Sequence, residues 1–452
     1  MQTLFRNVVK LLPTLLVSRE KYQKKKLKQL LNYVSKNSPY YKELYRDYDL
    51  KSITPFNISI LPPITKAQIL QNYDQVVCDR AIKKNDVINF TDDLNNLDKL
   101  YLDKYIIDST SGTTGEKLKV INSWPDFSEM MAMSAIYTWP KLSYAKDIYL
   151  SKRPVVYLVA TDGYYASTLL SKTYLEFSKN YQSEIIDFRT PIEELVDKLN
   201  TINPILIGGY VSTFLTLAEE ANAGRLKIDV KYMVGIGTNY TNYSRNFVKN
   251  AFNCKTFTSY SCTEGGEIGC ECEYQHFHLS KNVIVEAAND LLQPIEDGKQ
   301  SDCLLITNLW NKTMPFIRYR LNDRCIIHNE PCKCGCKDKW IEVIGREATR
   351  VDFINNQGKT VQFTDFMFEL ILNDVCQGGA DHQLIINDDN IELRFNIQND
   401  FVKFRQFNEI KRRLLELSNK NNLDMKIVLS NELPVVEVTG KVKRILINKE
   451  GS

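Results

Sequence analysis

Between residues 154 and 259, short β-rich runs alternate with helix-patterned runs, and this alternation constrains the fold more than any other feature. The strand-like runs cover 154–160, 184–188, 204–208, 232–236 and 254–259, and helix-like runs cover 167–177, 192–199, 210–223 and 241–252. A strand, a helix of that length and a second strand require a crossover, so the pattern predicts a mainly parallel sheet flanked by helices. Ligands of such sheets sit beyond the carboxyl ends of the strands. Gly208-Gly209-Tyr210 and Gly235-Ile236-Gly237-Thr238 fall at two such ends. Strand-to-helix turns without a ligand have the same composition, so neither segment alone assigns a site.

The flanks are patterned differently. Residues 1–50 read as helix, with Leu27, Leu30, Leu31 and Val34 at helical spacing among Lys24, Lys25, Lys26 and Lys28. A basic amphipathic helix can lie on a membrane, but the apolar side here is narrow and a solvated charged face is the expectation. Ser38-Pro39-Tyr40-Tyr41 is expected to end the helical region, because the residue before proline is pushed out of the α conformation. Leu61-Pro-Pro-Ile-Thr-Lys66 is a second break, and Thr65 is a natural N-cap for a helix through Ile69 and Leu70. From 283 to 343 the runs become short strands with hairpin signals at Ile295-Glu-Asp-Gly298 and Leu321-Asn-Asp323. Strands at 384–386, 391–395 and 425–429 and a helix at 401–418 then suit a small α+β domain. The expected fold is α/β: a large N-terminal domain, 1–345, with parallel-rich sheets and a β-rich subdomain, and a small mobile α+β domain, 346–452.

Composition narrows the function classes. A chain of 452 residues has ample length for a sizeable core. A net charge of +3 lacks the clustered basic excess of a nucleic-acid binder. The apolar patch 11–17 is interrupted by Pro13 and Thr14 and has no small-residue cleavage site, so neither a transmembrane segment nor a secretory signal is expected. A cytoplasmic location follows as the expectation, and eleven cysteines fit it better as thiols and metal ligands than as disulfides.

Ser109-Thr-Ser-Gly-Thr-Thr-Gly-Glu-Lys117 is the most chemically loaded stretch. Seven consecutive residues are glycine or carry a hydroxyl. Gly112 and Gly115 allow positive φ and close backbone approach, so successive N–H groups can turn toward one anion. Ser109, Thr110, Ser111, Thr113 and Thr114 add hydroxyl donors, and Lys117 adds a positive charge. A polyphosphate is the natural guest, although the spacing is not that of a Walker A loop and a flexible surface turn has similar composition.

Four further stretches follow in order: Tyr260-Ser-Cys-Thr-Glu264-Gly-Gly, Ile317-Arg-Tyr-Arg-Leu-Asn-Asp323, Ile344-Gly-Arg346 and Thr439-Gly-Lys441-Val-Lys-Arg444. With the glycine-rich loop, this series resembles the acyl-adenylate-forming (AMP-forming) ligase superfamily across essentially the whole chain. Within it the chain looks most like the phenylacetate–CoA ligase family, and more closely its branch related to capsular-polysaccharide proteins of the CapK type. Pro39-Tyr40-Tyr41, Leu61–Lys66, Thr307-Asn308-Leu309-Trp310, Pro315-Phe-Ile-Arg-Tyr-Arg320 and the Cys-rich segment before Gly345 carry that closer likeness.

The resemblance implies a role for each motif. Ser111, Gly112, Thr113, Thr114, Gly115 and Lys117 would cradle the β- and γ-phosphates of ATP. Thr263 would contact the AMP phosphate and Glu264 would hold Mg²⁺, a hard cation suited to carboxylate and phosphate oxygens. Asp323 would accept hydrogen bonds from the ribose hydroxyls with Arg346 assisting, and Tyr260 would stack near the adenine beside Gly235 and Gly237. Lys441 would bridge the substrate carboxylate and the α-phosphate as a point charge. Three departures bear on these roles: Lys117 replaces the usual proline, Ser261 replaces glycine, and Glu347-Ala348-Thr349-Arg350 stand where acidic hinge residues are usual.

The implied reaction is adenylation of a small-molecule carboxylic acid by ATP, releasing pyrophosphate. Transfer of the acyl group to a thiol follows, either coenzyme A or the phosphopantetheine arm of an acyl carrier protein. Residues 157–165, 208–210 and 235–238 would line the acid pocket, and their aromatic content is compatible with an aryl acid. Transfer to an amine or hydroxyl in surface-polymer or natural-product synthesis is the alternative within enzymes. A non-catalytic nucleotide-binding scaffold is the alternative outside them, against which the presence of both Glu264 and Lys441 argues.

Cys332-Lys-Cys334-Gly-Cys336 and Cys270-Glu-Cys272 followed by His276 and His278 make a second cluster. Thiolates with imidazole suit tetrahedral zinc, and members of the CapK-like branch look as if they carry a related set. The expected ligands are Cys272, His278, Cys332 and Cys334, with Cys336 or Cys270 as substitutes. Four protein ligands leave no open position, so the zinc would be structural. The alternative is free thiols.

Overall fold

The structure is a computed structural model that describes residues 10–110, 117–137, 151–175, 183–236, 240, 242–346, 350–364, 368, 371–372, 375–376, 382–397, 399–435 and 442–448. It divides into two compact units. The first comprises Met1–Arg153, Thr161–Ile185 and Phe257–Glu347, the second Pro154–Ala160, Ile186–Thr256 and Ala348–Ser452.

The first unit opens with a 3₁₀ turn, Leu12–Leu16, and a helix, Arg19–Asn37. Leu27, Leu30, Leu31 and Val34 are its buried stripe, as the spacing predicts. The first helix ends before Pro39 as expected, with Ser38 extended at φ −105° and ψ 112°, but Pro39 does not leave the helical region. It is the first residue of a second helix, Pro39–Leu44, capped by the Ser38 hydroxyl, which accepts from Tyr41 N. A proline at the first helical position sacrifices an N–H that has no intrahelical partner anyway. Thr65 caps Lys66–Gln71 as expected, in a reciprocal capping box with Gln68.

Two antiparallel layers complete this unit. Val283–Ala288, Cys303–Asn308 and Tyr319–Leu321 form one sheet. Asp323–His328, Trp340–Arg346, Phe277–Leu279, Gly266–Glu271 and the strand Lys255–Cys262 follow one another in a second. The Leu321-Asn-Asp323 signal is therefore not a hairpin. Tyr319–Leu321 and Asp323–His328 belong to different sheets, and the chain changes partner at Asn322. Tyr260-Ser-Cys262 completes the strand Lys255–Cys262 predicted at 254–259, and Thr263 and Glu264 lie in the turn to Gly266–Glu271, with Gly266 at φ +69°. A separate hairpin, Tyr105–Ser109 against Lys119–Ser123, pairs Ser109 with Lys119. The glycine-rich loop is the connection it closes.

In the second unit, Val155–Val159, Leu206–Gly209 and Tyr232–Gly235 are parallel neighbours, as the alternation predicts. Their core joins Val156, Leu158, Ile207 and Met233 to Leu195, Leu199, Phe214 and Val248 from the helices Ile192–Ile202, Val211–Asn222 and Asn242–Phe252. The C-terminal part of this unit orders Ile427–Leu429, Ile391–Phe395, His382–Asn387 and Ile445–Asn448 in one sheet with the helix Asp400–Lys420. Its core, which includes Phe368, Leu384, Leu393, Ile410 and Leu414, is drawn entirely from residues 351–445. The strand Ile445–Asn448 and the hairpin Arg350–Ile354/Thr360–Thr364 add to the predicted elements.

Candidate active site

The tight turn after Cys262 places two of the predicted residues. Thr263 is half-buried and Glu264 is buried. Glu264 Oε1 accepts from the Tyr319 hydroxyl at 2.9 Å. Burial pushes the Glu264 carboxyl above its ordinary range, opposed by the Tyr319 hydrogen bond and by the nearby Lys66 ammonium. Tyr319 and Lys66 were not singled out as site residues. They arrive together because Ile64 bridges Tyr319, with Ile64 N donating to Arg318 O at 3.0 Å and Arg320 N to Ile64 O at 2.9 Å. The signal for Lys66 was its place in Leu61–Lys66, read only as a chain break and a family marker.

Asp323 and Tyr260 also meet. The Tyr260 hydroxyl donates to Asp323 Oδ2 at 2.9 Å, and its ring lies edge-on to Phe277 at 6.3 Å. Tyr260 is buried, so its hydroxyl orients Asp323 from below the surface. Arg346 is the register partner of Asp323 across the Asp323–His328/Trp340–Arg346 ladder. Lys117 is exposed, and Lys119 is half-buried, its amine 5.9 Å from the Tyr164 ring. Burial and the charge of Lys117 push Lys119 downward. Ser111, Gly112, Thr113, Thr114 and Gly115, together with Gly237 and Lys441, lie outside the described residues.

A buried chain of amides ties the glycine-loop hairpin to the Glu264 turn. Asn308 Nδ2 donates to Glu264 O at 2.7 Å, while Asn308 Oδ1 accepts from Trp310 N and Asn311 N. Asn311 Nδ2 donates to Asn122 Oδ1 at 2.7 Å and to Ile121 O at 3.0 Å. Asn122 Nδ2 donates to Asp108 Oδ2 at 3.0 Å. Asn122, Asn308 and Asn311 have no exposed surface. Asp108, one residue before the loop begins, keeps Oδ1 buried with no partner among the described residues, and burial lifts its carboxyl to about 7. Ser109 Oγ is likewise buried and unpartnered. Glycine-loop base and carboxylate turn are thus fixed to each other through side chains that local sequence reads as turn formers.

In the second unit, Gly208 and Gly235 end parallel strands as expected. A Cβ at Gly208 would stand 2.5 Å from the Tyr157 ring, so glycine is what lets that ring lie flat over the strand.

The cysteine cluster assembles in the first unit. Donor atoms of Cys272, His278, Cys332 and Cys334 all lie within 4.8 Å of one another. Cys272 Sγ and Cys332 Sγ are 3.8 Å apart, and Cys334 Sγ is 3.2 Å from His278 Nε2. A tetrahedral zinc with Zn–S near 2.3 Å puts two sulfurs about 3.8 Å apart, which is the Cys272–Cys332 separation. Cys336 closes the turn through its carbonyl, which accepts from Cys332 N at 3.1 Å, and Cys270 Sγ is turned to Glu271 O. Neither substitute joins the group among the described residues. His276, not expected to contribute, brings Nδ1 to 3.3 Å from Cys332 Sγ. Its ring stacks on Trp340 at 3.7 Å, and His328 stacks on the opposite face at 3.8 Å.

No family model matches the chain. It is 24% identical over 441 residues to the protein CapK of Staphylococcus aureus, covering 94% of this chain and 88% of that protein. Among solved structures it resembles 2-hydroxyisobutyryl-CoA ligase in the postadenylation state in complex with 2-HIB-AMP, with a TM-score of 0.65, 15% identity and coverage of 95% of this chain and 89% of that one. The same ligase with 2-HIB-AMP and CoA in the thioesterification state gives 0.55, at 16% identity and 96% and 90% coverage. The anthranilate CoA ligase AuaEII in complex with anthranoyl-AMP gives 0.50, at 10% identity and 75% and 64% coverage. The chain shares the fold of these ligases. Among the described residues no helix is long and apolar enough to cross a membrane.

Proposed function

We propose that the protein is an AMP-forming acyl-activating ligase that joins a carboxylic acid to ATP, releases pyrophosphate and passes the acyl group to a thiol. The observation that supports this is the buried chain from Asp108 through Asn122, Asn311 and Asn308 to Glu264, which ties the strand ends flanking the glycine-rich loop to a buried carboxylate turn in one unit. Bringing a carboxylate to an α-phosphate forces two anions together, and rigid placement of counter-charge is what such a step needs. The ligases that share the fold hold an acyl-AMP, and one holds CoA as well.

In this reading Ser111, Gly112, Thr113, Thr114, Gly115 and Lys117 cradle the β- and γ-phosphates, and Thr263 faces the AMP phosphate. Glu264 would hold Mg²⁺. A buried carboxyl whose ionisation is disfavoured by burial fits a cation that supplies the missing charge. Asp323, oriented by Tyr260, would take the ribose with Arg346, and the adenine would lie beside Tyr260, Gly235 and Gly237. Lys441 would act from a mobile lid formed by residues 346–452, consistent with a separate core confined to 351–445. Cys272, His278, Cys332 and Cys334 would hold a structural zinc, with His276 donating to Cys332. The likeness to CapK and the motifs favour the phenylacetate–CoA ligase family and its CapK-like branch, acting in the cytoplasm on CoA or a carrier-protein arm.

Carboxylate-dependent exchange of labelled pyrophosphate into ATP tests the reading across a panel of aliphatic and aryl acids. Exchange with at least one acid is expected. Lys441→Ala should abolish it while sparing acyl transfer from preformed acyl-AMP. Absence of exchange with every acid, despite ATP binding, would leave a nucleotide-binding scaffold and overturn the proposal.

A further inference from the structure

The helix Arg19–Asn37 has two unlike faces. Tyr22, Gln23, Leu27, Leu30, Leu31 and Val34 are buried. Lys21, Lys24, Lys25 and Lys28 are exposed, and their i, i+3, i+4 and i+7 spacing makes them one stripe. None of these four ammoniums has a carboxylate partner among the described residues, whereas Lys26 turns inward to Glu129. Like charges at this spacing repel along the helix. Glu20 is the one acidic residue between 12 and 28.

Immediately before the helix, the turn Leu12–Leu16 presents apolar side chains to water. Leu16 is 92% exposed and Leu12 43%. This is not a frayed end. Leu11 is buried in a cluster with Phe127, Met130 and Trp310. The buried Lys281 donates Nζ to Thr14 O at 3.1 Å and Val17 O at 2.6 Å, and Arg19 donates to Ser280 O at 2.7 Å and to Leu279 O. Two leucines are therefore held outward on a pinned turn that leads directly into a helix whose four exposed lysines have no carboxylate partner among the described residues.

We infer that Leu12, Leu16 and the Lys21–Lys24–Lys25–Lys28 stripe form a docking surface for an anionic lipid bilayer. The chemistry of the two parts selects that partner. The ammoniums match lipid phosphates, and the leucines match the acyl boundary just beneath them. A nucleic acid or another polyanion would use the lysines and leave both leucines in water. A solvated face would need the lysines but gives no reason to pin Leu16 outward. The helix lies on the membrane and does not cross it, so the surface moves the protein to lipid without altering its fold. This inference is independent of the reaction proposed above.

Co-sedimentation of the full chain with vesicles of phosphatidylcholine alone, or with one third phosphatidylglycerol, tests it. The protein should pellet with the anionic vesicles and stay in solution with the neutral ones, and binding should weaken as salt rises. Lys24→Glu, Lys25→Glu and Lys28→Glu together should reduce partitioning at least tenfold. Leu16→Ser, which changes no charge, should reduce it about fivefold. All four positions are exposed, so unchanged melting curves will separate lost binding from lost folding. Equal behaviour with neutral and anionic vesicles overturns the proposal. So does lysine-dependent binding that Leu16→Ser leaves intact and duplex DNA competes away, because that pattern belongs to a general polyanion site.

Discussion

Asp323 and Arg346 close one end of the Asp323–His328/Trp340–Arg346 ladder, His328 and Trp340 close the other, and the two ends are chemical opposites. Asp323 and Glu264 take their hydrogen bonds from oxygen and amide groups, Tyr260, Tyr319 and the asparagine chain back to Asp108, with the Lys66 ammonium and the Cys262 thiol nearby. Beside His328 and Trp340 gathers a set of sulfur and imidazole donors, Cys272, Cys332, Cys334, His276 and His278, while Glu330 and Glu342 face His328 itself. Hard donors suit magnesium and phosphate; soft donors suit zinc. The difference teaches how one hairpin can serve two purposes. Its thiol end can be locked by a metal while its carboxylate end, several residues along the ladder, stays free to meet a nucleotide.

The comparison breaks most sharply at the thiol end. Purified protein should contain about one zinc per chain, and Cys332→Ser with Cys334→Ser should contain none. Structural zinc sites contribute to folding outright, so the doubly substituted protein should melt well below the wild type. Trp124, Trp310 and Trp340 lie in the first unit, so tryptophan fluorescence reports on that unit. Burial lifts the Cys272 thiol to about 12, so metal uptake must displace protons and weaken as pH falls. Zinc-free protein with an unchanged melting curve would reduce the cluster to free thiols.

At the oxygen end the expected loss is in rate, not in folding. Glu264→Gln keeps the shape and can still accept from Tyr319, but it removes the charge. Pyrophosphate exchange should fall about 100-fold or more with the melting temperature little changed. A variant that keeps full exchange would remove Glu264 from the metal role and leave it a packing residue.

The two ends were not equally legible in the sequence. The thiol end announces itself locally, because Cys-x-Cys and a histidine two residues from another have few structural uses. The carboxylates Glu264 and Asp323 were visible through their motifs, yet Tyr319 and Lys66 were not. What joins those two is a bridge from Ile64 to Tyr319 that no spacing reveals. Asn308 entered only as part of a family marker and Asn122 and Asn311 lie in no motif, since an asparagine's usual local backbone bonds give no sign of a distant partner. Only tertiary burial turns them into a chain. The parallel strands were plain from hydrophobic runs, and Pro39 correctly marked the end of the first helix but not the start of the second, which it opens by the same geometry.

Asn311 tests whether that chain is structural support or decoration. Its Oδ1 accepts from Thr313 N and Met314 N at 3.0 Å, and its Nδ2 serves Ile121 O and Asn122 Oδ1. Asn311→Ala strands all four buried groups, and each orphan costs about 1–3 kcal/mol before relaxation. A net loss of about 3 kcal/mol in the tryptophan-reported transition is expected. A loss below about 1 kcal/mol would mean that water replaces the amide and that the chain does not fix the loop base.

Asp108 gives the smallest effect but the clearest sign. Its carboxyl titrates near 7 in the fold against 3.8 when unperturbed, because burial disfavours the charge more than the Asn122 amide favours it. Over that interval the folded chain holds a proton that the unfolded chain has released, so the stability owed to Asp108 is greatest at the acid side. It declines as pH rises toward 7, and above that value no further change comes from this group. Between pH 5.5 and 7.5 the decline should be about 2 kcal/mol. Asp108→Asn keeps an acceptor for Asn122 and cannot ionise. The variant should therefore gain on the wild type by that amount across the window, read as the difference between their denaturation midpoints at the two pH values. A pH-independent difference would show that Asp108 ionises normally, and the base of the glycine-rich loop would then carry a fixed negative charge opposite the phosphates it is proposed to hold.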